Sequence, residues 1–324
     1  MFSYRHAFHA GNHADVLKHT VLIAILKHLT EKDAALTVLD THAGAGLYRL
    51  DGDYAETSGE AANGVLRLFS PSKVATSLAK PAQEAIKKVA KPAPKNDASG
   101  KETGQAPALQ EYLDLVATFN EKGSHRVYPG SPFIIQRLLG ARDKLKLFEL
   151  HPTDAKTLSA NIAQLAAGRQ VAVLREDGFE GIKKFLPPPV KRALVLCDPS
   201  YEIKSDYARV TAMVADSLKR FATGTYAVWY PIIPRPEAHD VPRKLKTLAT
   251  KASKSWLHAT LTVKSSKLTS DAAGEVIRPG LPASGMFIIN PPFTLKAAMQ
   301  AALPEMVALL AQDQHAAFTL DSGG

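Results

Sequence analysis

Four consecutive residues carry the most specific chemistry in this chain: Asp198-Pro199-Ser200-Tyr201, directly after the apolar run 193–197. This is the Asp/Asn-Pro-x-aromatic pattern of enzymes that methylate amino groups. An exocyclic amine is a weak nucleophile because its lone pair is delocalised into the ring. The Asp198 carboxylate and the Pro199 carbonyl can accept its two N–H protons and draw the nitrogen towards tetrahedral geometry. Pro199 has a fixed φ and no N–H, which holds both acceptors in place. Tyr201 offers a ring on which an extruded base can stack. Asp198 either takes the proton or only orients the amine. A bare Asp-Pro turn at a strand end has the same letters, so the motif needs partners.

Candidate partners stand after three other apolar runs. Asp40-Thr41-His42-Ala43-Gly44-Ala45-Gly46 follows the run 36–40. The dinucleotide fingerprint wants a third glycine at position 49, which is Arg49, so NAD is disfavoured. An acid ending a strand before a loose glycine loop suits S-adenosylmethionine better. Glu149 closes the run 145–150 and can accept hydrogen bonds from ribose hydroxyls. Asp177-Gly178 follows the run 171–174; the carboxylate can accept from an adenine amino group, and the glycine leaves room for the ring. Ser131, in Tyr128-Pro129-Gly130-Ser131-Pro132, either caps the helical run that follows or touches a cofactor.

The N-terminus is the other unusual segment. His6, His9, His13 and His19 fall within its first nineteen residues, alongside Tyr4 and Lys18. No paired cysteines or HExxH spacing accompany them, so no metal is expected. A basic, aromatic arm folding over a polyanion fits better. From Asp15 onwards the pattern is helical, with Lys18 and His19 in the first turns. Between Arg243 and Lys267 stand seven Lys/Arg, no acid, and Trp256; this is either a nucleic-acid track or a solvated face. Asn290-Pro291-Pro292-Phe293 imitates an amino-methylating motif, but after the last strand it reads as a strand-ending loop.

The elements that must position these residues are seven short β-like runs: 36–40, 145–150, 171–174, 193–198, 225–230, 257–263 and 285–290. Most are continuously apolar, as in strands buried on both faces; 257–263 alternates, as in an edge strand. Helical patterns at 153–167, with Thr153 and Asp154 as caps, and at 206–222 alternate with them. The expected fold is α/β with a mainly parallel sheet. The 97 residues from Leu47 to Asp143 exceed one crossover. Helical segments near 62–69 and 108–120 flank an Ala/Lys/Pro stretch at 71–107, which has seven Lys against three acids. We therefore expect a methyltransferase domain from 1–46 and 126–324, interrupted by a small helical subdomain at 47–125.

Composition agrees with an ordinary globular protein: 324 residues, 45% hydrophobic and 22% charged. The formal charge of +9 favours a polyanionic partner. The lone Cys197 lies inside an apolar strand, where a thiol is inert, and suits a reducing compartment. No apolar run is long enough for a membrane span. A cytoplasmic monomer is expected.

Taken together, YRHAFHAGNHADVLKH, LDTHAGAG, YPGSP, ELHPTD, DGF, DPSY, RFATGTYAVWYP and ASGMFIINPP resemble the bacterial RlmJ family, from Tyr4 to about Pro292. The resemblance implies a Rossmann-like class I methyltransferase, a seven-stranded mixed sheet with helices on both faces and an inserted small helical subdomain, that uses S-adenosylmethionine and acts on N6 of an adenine in 23S rRNA, adenine 2030. Carried over, it implies His19, His42, Ser131, Glu149, Asp177 and Gly178 as cofactor contacts and Asp198 as the catalytic residue. Tyr4 would meet the RNA, with His6 and Lys18 in the same motif; Pro199 and Tyr201 belong to the base-binding loop. Two departures stand out. The family's usual Asp-Pro-Pro-Tyr has Ser200 in third place here, which removes a ring but neither acceptor. The stretch 71–107 is longer than the family needs. A DNA adenine or protein-glutamine methyltransferase shares the loop chemistry, and a non-catalytic RNA-binding protein shares the fold.

Overall fold

The computed structural model describes residues 6–52, 57–69, 105–267, 269–270, 276–277 and 280–324. Tyr4 and residues 71–104 of the Ala/Lys/Pro stretch lie outside these described residues. The strands are β1 (Thr37–Asp40), β2 (Leu47–Arg49), β3 (Val127–Pro129), β4 (Lys144–Phe148), β5 (Val171–Leu174), β6 (Ala193–Cys197), β7 (Thr225–Ile232), β8 (Trp256–Thr262), β9 (Thr269–Ser270), β10 (Val276–Ile277), β11 (Ala283–Ile289) and β12 (Ala317–Gly323). The α-helices are α1 (His13–Thr30), α2 (Val65–Phe69), α3 (Pro107–Ala117), α4 (Ser131–Leu138), α5 (Pro152–Ala163), α6 (Gly178–Gly181), α7 (Ser205–Arg220), α8 (Pro236–Lys251) and α9 (Leu295–Leu310).

One sheet organises the fold, in the order β12-β8-β11-β7-β6-β1-β4-β5. Strands β5, β4, β1, β6 and β7 run parallel; β11 then pairs antiparallel with β7 and β8, and β12 antiparallel with β8. The apolar strands β1 and β6 are buried along their whole length because helices cover both faces. The order reverses direction at β1: β4 lies on one side and β6 on the other. In such sheets the crevice for a ligand opens beyond the carboxyl ends at this switch point.

The sheet has eight strands, not seven. The additional strand, β12, pairs from Ala317 opposite Thr262 to Gly323 opposite Trp256. It covers β8, which is therefore not the edge its alternation suggested. The segment AFTLDSG has Asp, Ser and Gly in its second half, residues with little strand preference. Its cross-strand pairing, not its own composition, makes it a strand.

Helix α1 is buried on nearly every side, from His13 to Leu26, so its apolar pattern is not a single stripe. It packs on β11 and is roofed by α3, α4 and α9. A helix apolar all round belongs in a protein interior. Helices α2 and α3 occupy the two expected helical segments of the insertion. The antiparallel ribbon of β2 and β3, Leu47 opposite Pro129, joins its two ends. Helix α5 is capped by His151, whose Nδ1 accepts from the Asp154 amide, and not by Thr153 or Asp154. No helix among the described residues is long and apolar enough to cross a membrane.

Candidate active site

A single cleft collects almost every residue singled out above. His6, Lys18, His19, His42, Ser131, Glu149, Asp177, Gly178, Asp198 and Pro199 all line it. They come from α1 and from the loops after β1, β3, β4, β5 and β6.

Helix α1 supplies the charged floor. Asn12 caps it, its side-chain oxygen accepting from the amides of Ala14 and Asp15 at 2.9 and 3.0 Å. Asp15 and Lys18 then share one face, three residues apart. Lys18 is 5% exposed and its Nζ donates to Asp15 Oδ1 at 2.8 Å and also to Asp198 Oδ2. Burial alone would push the Lys18 amine down, but the two carboxylates outweigh it and push it up. Asp15 in turn accepts from the Gly11 amide at 2.8 Å, and its Oδ2 lies 3.0 Å from His6 Nε2. Burial would raise the Asp15 carboxyl; His6, Lys18 and His19 prevail and hold it well below its ordinary value. The catalytic-loop carboxylate is thus tied to the N-terminal motif through a buried chain, His6–Asp15–Lys18–Asp198. Asp198 lines the cleft, and its Oδ1 makes no hydrogen bond to the described residues.

The loops after β1, β4 and β5 form the other half. Glu149 accepts from the Gly44 amide through Oε2 at 2.8 Å and from the His151 amide through Oε1 at 2.7 Å. Burial raises its carboxyl nonetheless. Each oxygen keeps a second lone pair for a ligand hydroxyl. The Thr41 hydroxyl donates to the Leu196 carbonyl and lies 2.7 Å from His42 Nδ1. His42 Nδ1 is thus engaged by Thr41, which leaves Nε2 for a ligand. Burial pushes His42 down to about 4, so the ring is neutral. Asp177 caps α6 by accepting from the Phe179 amide at 3.0 Å, and its other oxygen pairs with Arg209. A Cβ on Gly178 would sit 1.9 Å from the Thr41 carbonyl oxygen, so only glycine lets these loops meet.

His19 and Ser131 hold buried positions. His19 Nδ1 lies 2.7 Å from the Tyr128 hydroxyl, which contacts the Tyr112 hydroxyl at 3.1 Å. Burial drives His19 well below its ordinary value. Its Nε2 is buried without a hydrogen-bond partner, an orphan polar atom on the cleft wall. This orphan ring nitrogen fits a nucleoside ligand seated between α1 and the loops after β1, β4 and β5. Ser131 does not cap α4; its hydroxyl donates to Asp40 Oδ2 at 2.6 Å. Burial pushes Asp40 up to about 6 even so.

Tyr201 is the correction at this site. It does not line the cleft. Its ring is 2% exposed, 4.7 Å from Tyr207, and its hydroxyl donates to the Trp229 carbonyl at 2.6 Å. The backbone at Tyr201 is left-handed, φ 55°, which turns the side chain into the core. It offers no face to a base; it anchors the loop. Trp256 is likewise unavailable, buried at 8% and stacked on Phe287 at 5.6 Å. The basic stretch around it lies on α8 and β8 and does not line the cleft; Arg243 and Lys244 contact Asp240. Asn290 ends its strand structurally, its amide donating to the carbonyls of Ala222 and Gly224. Cys197 is fully buried, and burial pushes its thiol up.

Several cleft residues were not legible beforehand. Tyr48 lines the wall and accepts from the Ala45 amide at 3.1 Å. Phe179 packs edge-on against His42 at 4.7 Å, with the Arg209 guanidinium 4.3 Å from its ring centre. Asp15 carries no motif of its own, only its spacing to Lys18. Among the described residues, no cluster of three or more His, Cys, Asp or Glu could hold a metal ion.

An open α/β sheet with its cleft beyond the parallel strand ends, acids on successive loops and an Asp-Pro loop after β6 defines a Rossmann-like class I methyltransferase. A family model described as "Ribosomal RNA large subunit methyltransferase D, RlmJ" matches residues 33–96 and 98–320. The ribosomal RNA large subunit methyltransferase J of Escherichia coli (strain K12) is 40% identical over 304 residues, 94% of this chain and 92% of that protein. Its namesake from Haemophilus influenzae is 36% identical over 322 residues, 99% of this chain and 98% of that protein. The crystal structure of protein LPL1258 from Legionella pneumophila superposes with a TM-score of 0.73 at 28% identity, covering 97% of this chain and 98% of that one. The chain belongs to the RlmJ family of ribosomal RNA large subunit methyltransferases.

Proposed function

We propose that this chain transfers a methyl group from S-adenosylmethionine to N6 of an adenine in large-subunit ribosomal RNA. The observation that carries this reading is the Asp198 carboxylate on the cleft wall, held by Lys18 through Oδ2 and with no hydrogen bond to the described residues at Oδ1. S-adenosylmethionine supplies the electrophilic methyl group when bound. Glu149 accepts hydrogen bonds from the ribose hydroxyls. Asp177 receives the adenine amino group, and Gly178 lets its loop pack against Thr41 so that Asp177 reaches the cleft. His19 donates or accepts through its orphan Nε2, and His42 meets the cofactor through Nε2. Asp198 Oδ1 and the Pro199 carbonyl take the two N–H bonds of the target amine and aim its lone pair into the cleft. Lys18 fixes the carboxylate so that this geometry exists before the RNA arrives. His6 steadies Lys18 through Asp15. Tyr4 would extend the same segment towards the RNA.

The test is methyl transfer from labelled S-adenosylmethionine to unmodified 23S rRNA, with nucleoside analysis of the product. Label is expected in N6-methyladenosine. An inactive protein that still binds S-adenosylhomocysteine would overturn the assignment of substrate.

A further inference from the structure

With Tyr201 turned into the core, the base-binding loop lacks the aromatic platform its motif promises. An extruded base still needs an apolar surface to replace its lost stacking partners. Among the described residues, four large apolar side chains are exposed: Leu150, Val190, Ile203 and Phe293. Single exposed apolar residues are ordinary. Two of these four, however, stand on the rim of the one cleft that holds the site. Leu150 follows Glu149 and belongs to the cofactor half. Ile203, 59% exposed, lies in the same loop as Asp198 and Pro199.

The loop holds Ile203 in that position. Left-handed Tyr201 sends its own ring inwards, locked by the Trp229 carbonyl. The Ile203 carbonyl accepts from the Asp206 amide at 2.9 Å, closing the turn into α7. The loop is thus pinned on both sides of Ile203, and the β-branched side chain is itself stiff. A rigid aliphatic group beside two amine acceptors has the position of a base contact.

We infer that Ile203 is the apolar contact for the extruded adenine, taking the role that buried Tyr201 does not fill. This rests on the function proposed above. The inference concerns RNA alone, since Ile203 belongs to the loop after β6 and not to the β1, β4 and β5 loops assigned to the cofactor.

The test compares wild type, Ile203→Ala, Ile203→Met and Ile203→Trp on a large-subunit RNA fragment, with the target adenine or with 2-aminopurine in its place. Ile203→Ala is expected to lower kcat/KM for RNA by about tenfold, the loss expected for one buried aliphatic side chain. Affinity for S-adenosylhomocysteine stays unchanged, and Ile203→Met restores activity. Unstacked 2-aminopurine fluoresces in the wild-type complex, and an indole at position 203 quenches it. Ile203→Ala with wild-type kcat/KM, an equal loss of cofactor affinity, or no quenching by Ile203→Trp overturns the inference. A wild type inactive on every large-subunit RNA removes the functional reading itself, which is a distinguishable result.

Discussion

Substituting Gly178 by alanine tests the cofactor half of the site with one methyl group. An ideal Cβ there would stand 1.9 Å from the Thr41 carbonyl oxygen and 2.7 and 2.8 Å from the Thr41 C and Cα atoms. All three are backbone atoms, so no side chain can swing away. Ordinary contact begins at 3.4 Å, so the loops after β1 and β5 must part by about 1.5 Å. Those two loops carry His42 and Asp177, which both line the proposed nucleoside site. A displacement of about 1 Å in a positioning group can cost roughly a hundredfold in rate. Overpacking of this kind costs about 1–3 kcal/mol of stability, so the protein should still fold. Calorimetric titration with S-adenosylhomocysteine is expected to show affinity weakened by roughly tenfold to a hundredfold, on that same scale of misplacement. Circular dichroism should show a retained fold with a lowered melting temperature. A Gly178→Ala protein that binds within twofold of wild type would show that the loops separate freely, and the argument from their close approach would fail.

Three further outcomes follow from the same geometry. Asp198→Asn keeps the shape but removes a charged acceptor; losing one such hydrogen bond, worth about 1.5–3 kcal/mol, should lower kcat by roughly tenfold to a hundredfold with unchanged cofactor affinity. An unaltered kcat would assign the amine to the Pro199 carbonyl alone. Lys18→Met strands the buried Asp15 carboxylate and takes the partner from half-buried Asp198, and breaking a buried pair in this way costs about 3–5 kcal/mol; the urea midpoint should fall accordingly, and a midpoint equal to wild type would refute the network reading. Acid should also remove the stability held by the buried neutral histidines. His13 and His42 are pushed down to about 4, so between about 4 and the ordinary 6.5 the unfolded chain binds more protons, and stability falls as pH falls through that window. Asp40, pushed up to about 6, opposes this, since its contribution is present at low pH and lost as pH rises through 6. His19 and His258, also pushed down by burial, add to the histidine loss, while the raised groups His9, Glu149 and Asp206 act with Asp40, so the test is made on His42 alone. His42→Asn, whose amide can replace Nδ1–H towards Thr41, should flatten the melting-temperature slope between pH 6.5 and 5; an unchanged slope would clear His42 of the effect.

Much of this protein was determined by sequence alone, because its signals are local. Each site loop begins where an apolar run stops at an acid or a glycine, and strands buried on both faces must be apolar without interruption. That placed Asp40, Glu149, Asp177 and Asp198 at strand ends, and Lys18 and His19 on the first turns of one helix. Tertiary structure decided which of these residues meet. Lys18 and Asp198 are 180 positions apart. Their contact exists because α1 crosses beneath the β6 loop, which no spacing rule encodes. Ser131 turned from a helix cap into a partner of Asp40 for the same reason. Tyr201 shows the limit most plainly: its letter promises a stacking ring, but one left-handed φ and one carbonyl send that ring into the core. The strand Ala317–Gly323 is the counterpart in the fold, a polar-tailed segment made into a strand by the unpaired edge of β8. Periodicity reports the environment a segment needs; only the folded chain determines which neighbour supplies it.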